Sequence, residues 1–172
     1  MLEDGPVPGR ECGACDACCV VFQIDEPNIA KPAGVPCRHL TKPGCAIYEH
    51  RPQMCRAWLC GWRLIAGLPD TWRPDLSGIL IYQKRSEHPA YVADGFVIAL
   101  ANGLAHINDT AVLGFIQNLV KNRIPIFLIL KAGGPDMVFL NPALEPMVQA
   151  GDGTGFIAAL SRLISSASRP NP

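Results

Sequence analysis

The residues with the most chemistry to offer are eight cysteines, all between Cys12 and Cys60, with none afterwards. Their densest run is Cys12-Gly-Ala-Cys15-Asp-Ala-Cys18-Cys19. A Cys-x2-Cys loop brings two sulfurs to one centre within a single tight turn, and Gly13 permits the backbone conformation such a turn needs. A third cysteine at the same spacing is the kind of run that wraps an iron–sulfur cluster. Cys18 and Cys19 are adjacent, so in most backbone conformations their side chains diverge. They are expected to serve different centres, or one of them none. Cys37, Cys45, Cys55 and Cys60 come next, each near a turn residue: Pro36, Gly44, Pro52 and Gly61. Loops of this kind can fold back onto the first cluster. Eight thiolates suffice for two four-cysteine sites, and spacing alone does not divide them between sites.

Cys60 raises a geometric question. Pro52 suits a helix start, with its preset φ and no lost donor. If that helix ran unbroken through Cys55 and Cys60, the two would lie about 140° apart around its axis. Cys60 joins the same site only if the helix ends early, which Gly61 permits. Arg38, Arg51, Arg56 and Arg63 lie beside the cysteines or a few residues away. A four-thiolate zinc site carries a formal charge of about −2, and arginines there can donate hydrogen bonds to sulfur. The plainer reading makes them solvated surface residues.

Isolated cysteines are usually small buried hydrophobes. Eight in this pattern do not fit that description, and they are read as metal ligands. Disulfides are the alternative, but Met1 to Arg10 is polar and rich in Gly and Pro, unlike a signal peptide. The expected compartment is the cytoplasm, where thiols stay reduced. No apolar run reaches bilayer length, so no membrane partner is expected. Fifteen basic residues balance fifteen acidic ones, and the broad basic field of a nucleic-acid binder is lacking.

Downstream residues extend the pattern: Pro36-Cys37-Arg38-His39-Leu40, then Gly44-Cys45-Ala46-Ile47-Tyr48-Glu49-His50-Arg51-Pro52-Gln53-Met54-Cys55-Arg56. With the Cys12 to Cys19 run, their order and spacing resemble the CxxCxxCC family, the YkgJ-type cysteine-cluster proteins. The resemblance covers residues 12 to about 60 and implies chelation of zinc or iron. Some members of that family are labelled iron–sulfur oxidoreductases, and a similar cluster occurs in flagellin lysine methylases. The resemblance implies ligands and a cofactor class without a reaction.

Other candidates are weaker. His39 and His50 can stand in for a cysteine as ligands, a need that eight thiols remove. Tyr48 and Arg51 are not metal ligands by type; one is expected to pack and the other to brace a loop. His88 and His106 lie outside the cluster, in expected turns. Gly151-Asp152-Gly153-Thr154-Gly155 faintly resembles a phosphate loop but lacks its Lys-Ser/Thr ending, and reads as a helix entry. Trp58, Trp62 and Trp72 are expected to cover the metal module or join it to the sheet. No Ser-His-Asp pattern or carboxylate pair stands out.

These residues need elements to hold them. The chain is expected to be α+β. Residues 1–65 form a loop-rich cysteine module that takes folding energy from its metal. Residues 66–172 form an α+β domain: an antiparallel sheet of about four strands with two helices on one face. Ser77 to Lys84 and Tyr91 to Leu100 read as strands, joined by a turn at Ser86 to Pro89. Asp109 to Asn122 has helical spacing, with Asn108 or Asp109 as N-cap. Pro125 to Lys131 and Met137 to Leu140 read as strands around a turn at Ala132 to Asp136, and Thr154 to Ser165 as the last helix. A repeated ββα unit would give this order, though no residue-level repeat supports it.

The expected function is a metal-binding protein holding an iron–sulfur cluster or zinc, iron slightly favoured, in electron transfer or redox chemistry. An iron–sulfur oxidoreductase is its enzymatic form. The alternatives are a zinc-stabilised module whose α+β part binds a protein partner, and a metal chaperone or sensor.

Overall fold

A computed structural model describes residues 5–27, 29–42, 44–100, 109–130 and 137–168. Before residue 78 the elements are short. They are α1 (Ala17–Val21), a hairpin of β1 (Leu40–Thr41) and β2 (Gly44–Cys45), α2 (Gln53–Ala57), α3 (Gly61–Leu64) and α4 (Pro74–Ser77). After it they lengthen: β3 (Ile79–Arg85), β4 (Asp94–Leu100), α5 (Thr110–Lys121), β5 (Ile126–Ile129), β6 (Met137–Phe139), α6 (Asn141–Ala150) and α7 (Gly153–Ala167). Short elements reflect dense Pro and Gly; long ones reflect uninterrupted apolar periodicity.

The chain is α+β, and the second half holds a four-stranded sheet in the order β3-β4-β5-β6. The expectation of a purely antiparallel sheet is corrected. β3 and β4 are antiparallel from Ile79↔Leu100 to Arg85↔Asp94, but β4 and β5 are parallel from Phe96↔Ile126 to Ala99↔Ile129. α5 lies between those two strands in the chain, and a strand–helix–strand crossover returns the backbone in the same direction. β5 and β6 are antiparallel again.

The expected helix at 109–122 is α5. Asp109 is its N-cap, its carboxylate accepting from the Ala111 N–H at 2.7 Å. Asn108, His106, Lys131 and the turn at Ala132 to Asp136 lie outside the described residues. The expectation of two helices is also corrected. α4 and α6 join α5 and α7 in the second half. α6 contains Pro146, which conceals it, because an interior proline normally ends a helix; Pro142 sits in its first turn, where proline is tolerated. Gly151, with φ of 67°, ends α6, and the Asp152 carboxylate then caps α7 at the Gly155 N–H. Gly151 to Gly155 is therefore a helix junction.

Period-two alternation divides the sheet's side chains between two layers. Ile79, Ile81, Ile98, Leu100, Ile126 and Leu128 pack with α5, α6 and α7, including fully buried Ile116, Leu144 and Phe156. Trp62, Ile65, Leu68 and Trp72 complete that core. Leu80, Val97, Ala99, Phe127 and Ile129 face the other way, against Val21, with Ala17, Phe22, Trp58 and Cys60 packed around them. The cysteine segment thus lies over the sheet face that the long helices leave bare.

Candidate metal centre

The segment holding the cysteines is organised by backbone and cation contacts more than by apolar burial. The Cys15 N–H donates to the Cys12 carbonyl at 2.8 Å, closing the first Cys-x2-Cys loop, and Gly13 takes a φ of 53° within it. Cys18 and Cys19 lie on α1. The Cys37 N–H donates to the Cys19 carbonyl at 2.9 Å, so the second group of cysteines starts beside the end of the first. Leu40 donates to the Cys37 carbonyl and pairs with Cys45 across the β1–β2 hairpin. Cys55 lies on α2, which stops at Ala57, and Cys60 is the N-cap of α3. The early helix end that Cys60 requires is present.

Two cations that carry no sequence signal fix this arrangement. Arg10 donates to the carbonyls of Trp62 at 2.6 Å and Ile65 at 3.0 Å, and to that of Leu68. Lys31 is buried, and its ammonium donates to the carbonyls of Val20, Phe22 and Pro32. Sequence reading misses both, because only the fold brings distant carbonyls to them. Gly61, expected as a helix breaker, also sets a distance. A Cβ there would stand 2.7 Å from Ile81 Cγ2, so Cys60 is held close against β3.

All eight thiols are unpaired and partly buried, and they surround two cavities. The outer one, of about 320 Å³, is lined by Cys12, Cys15, Cys18, Cys19, Cys37, Cys45 and Cys55, with Phe22, Ile47 and Trp58 among its apolar walls. The second, of about 340 Å³, lies towards the sheet at Leu80 and is lined by Cys12, Cys15, Cys18, Cys55 and Cys60. Trp58, with Phe22 and Tyr82, forms an aromatic cluster between these cysteines and the sheet. Trp62 lines the second cavity and also belongs to the helix-side core, and Trp72 belongs to that core alone.

Charge and burial set the state of the thiols. Burial pushes Cys15 up to about 11, and the negative fields of Asp75 and Cys60 add to the rise. Burial also raises Cys60, with Cys12 adding, and raises Cys55, with Cys19, Cys37 and Cys45 adding. A hydrogen bond shared with Cys18 lowers Cys19 to about 7 and raises Cys18. Cys18 lines both cavities and Cys19 only the outer one.

The arginines divide by role. Arg63 Nη1 lies 3.4 Å from Cys12 Sγ, and Arg51 stacks on Tyr48 with 3.5 Å to the ring centroid. The buried Nε atoms of Arg51 and Arg63 have no hydrogen-bond partner among the described residues. Buried cationic donors of this kind call for an anionic acceptor. Arg38 and Arg56 are exposed. His39 lines the outer cavity and His50 is exposed, away from it.

The donor chemistry is of the soft kind that suits a thiolate-bound metal or cluster: half-buried thiols beside two arginine Nε atoms without an acceptor among the described residues. The geometry is open, because among the described residues no three His, Cys, Asp or Glu side chains are placed to hold an ion together. No helix among the described residues is long and apolar enough to cross a membrane. Comparison with family models, with curated proteins and with solved structures finds no match to this chain.

Proposed function

We propose that this chain is a metal-binding protein of the CxxCxxCC, YkgJ-type kind, holding an iron–sulfur cluster or zinc through its clustered cysteines, with redox chemistry as its role. One observation carries the reading: eight unpaired thiols, scattered along the segment, line two adjoining cavities whose arginine Nε donors have no acceptor among the described residues. Cys12, Cys15, Cys18, Cys19, Cys37, Cys45, Cys55 and Cys60 are the ligands. Arg63 and Arg51 supply hydrogen bonds to the negative charge of the loaded site. Iron is favoured by the Cys-x2-Cys-x2-Cys run. A bound iron–sulfur cluster supplies one-electron transfer. The chain's part is to hold sulfur, keep water out with Phe22, Ile47 and Trp58, and fix the site against the sheet. Loading requires the raised thiols to lose protons and the sulfurs to draw together.

The second reading, a zinc-stabilised interaction module, is favoured by the short elements of residues 12–60, which have little apolar burial of their own. Iron, zinc and acid-labile sulfide analysis of anaerobically purified protein, with visible absorption, separates the two. Iron with matching sulfide supports the redox reading. Zinc without sulfide supports the module, and absence of both metals overturns each.

A further inference from the structure

We infer that the sheet-side cavity is a binding site for a small organic carboxylate, whose charged end is held by Arg51, Arg63 and the Trp62 indole N–H. The inference goes beyond the metal-binding reading and does not depend on it, because the donors and the cavity are there whatever the thiols hold.

Three buried side-chain polar atoms lack a hydrogen-bond partner among the described residues: Arg51 Nε, Arg63 Nε and Trp62 Nε1. All three are donors, and all belong to residues that line this one cavity of about 340 Å³. The contacts around them leave these N–H groups unserved. Arg63 Nη1 faces Cys12 Sγ at 3.4 Å, while the Arg51 guanidinium stacks on Tyr48. Trp62 is buried, and its ring lies under the Arg10 guanidinium, itself a donor that cannot accept from it. A buried N–H without an acceptor is costly, and a cationic one more so.

The cavity wall supplies no carboxylate to meet them. No aspartate or glutamate lines it, and Arg56 adds a third arginine. Asp75 follows the lining residue Pro74, but its two carboxylate oxygens already accept from Arg73, at 2.6 and 2.9 Å. A cavity with three arginines and no acidic side chain selects an anion, and guanidinium donors match the paired oxygens of a carboxylate. Leu59, Pro74 and Leu80 add apolar wall. That wall suits a hydrocarbon body behind the carboxylate, which inorganic phosphate does not have. The volume falls within the range of small-molecule sites, about 300–1,000 Å³.

Anaerobic isothermal titration of the full chain with benzoate, as purified and after chelation, tests the site. Benzamide serves as the neutral isostere and inorganic phosphate as the anion without an apolar body. Benzoate is expected to bind saturably in both preparations, about tenfold or more tighter than either comparison compound. Trp62→Phe keeps an aromatic ring and removes the N–H, and Arg51→Lys keeps the charge and removes Nε. Each should weaken benzoate by about tenfold and leave benzamide unchanged. If a variant does not fold, the three ligands on the unmodified chain decide the matter. Benzoate binding no tighter than benzamide overturns the site, and phosphate binding tighter than benzoate overturns the carboxylate assignment. Benzoate binding only after chelation makes the loaded thiolates the acceptors and overturns the inference as well. Metal content measured on the same samples tests the metal-binding reading separately.

Discussion

β3, β4 and β5 send Ile81, Ile98 and Leu128 to one side and Leu80, Val97 and Phe127 to the other, and both sets are buried. Over the first side lie α5, α6 and α7, of twelve, ten and fifteen residues. They contribute side chains such as Ile116, Leu144 and Phe156, each 0 or 1% exposed. Over the second lie helices of five residues or fewer and connecting loops, where every thiol remains partly accessible. Burying an aliphatic or aromatic side chain stabilises by about 1.5–3 kcal/mol. The helix side has the longer elements and the larger buried cluster. On the proposed metal-binding reading, ligand bonds would add to the smaller core of the cysteine side.

The largest expected effect breaks the cysteine side alone. Structural zinc contributes about 10–16 kcal/mol in small domains. Cys15→Ser is expected to lose bound metal and expose residues 12–60 to protease, with little change in circular dichroism from the sheet and α5–α7. Cooperative loss of the whole signal would show that the two sides share one folding unit. Next comes the helix side. Phe156→Ala removes a side chain that is 1% exposed, and urea unfolding should register a loss of about 3–5 kcal/mol. That variant should still bind metal if the cysteine side is held by its ligands.

A smaller effect sits where the two sides join. In Gly61→Ala the new Cβ meets Ile81 Cγ2 at 2.7 Å and Ile81 Cβ at 2.9 Å. Overpacking of this kind costs about 1–3 kcal/mol. It should also weaken metal retention, because Cys60 is the preceding residue. A control at Gly67, where nothing lies within 4 Å, should do neither.

The smallest effect is on pH dependence without metal. The folded chain holds the Cys15 proton up to about 11, whereas the unfolded chain releases it near 9.0. Between those values the unfolded state binds fewer protons, so stability falls as pH rises. Cys19, lowered to about 7, acts in the opposite sense between 7 and 9. Chelator-treated protein should therefore gain stability between about pH 7 and 9 and lose it above 9. A continued rise beyond that value would contradict the burial assigned to Cys15.

Much of this is legible from residue order. β3, β4 and α5 show in apolar periodicity, and Asp109 in its position before the helix. The cysteine pattern marks the candidate centre. Three features are not legible. α6 carries an interior proline, Pro146, that local rules assign to a break, while Leu144 beside it is fully buried. The parallel β4–β5 pair is implied by strand–helix–strand order, but the surrounding hairpins favour an antiparallel reading. The third is the bracing of the cysteine segment by Arg10, Lys31 and Gly61, whose roles exist only once distant carbonyls and Ile81 are beside them.

The central claim is that the cysteine side is ordered by bound metal and the helix side by its own core. Peptide-resolved hydrogen exchange on the full chain, metal-loaded and after chelation, addresses both halves in one measurement. Amides within residues 12–60 are expected to exchange faster once metal is removed, while those of β3, β4, β5 and α5 stay protected at their loaded rates. Unchanged protection across residues 12–60 after complete metal removal would contradict the account.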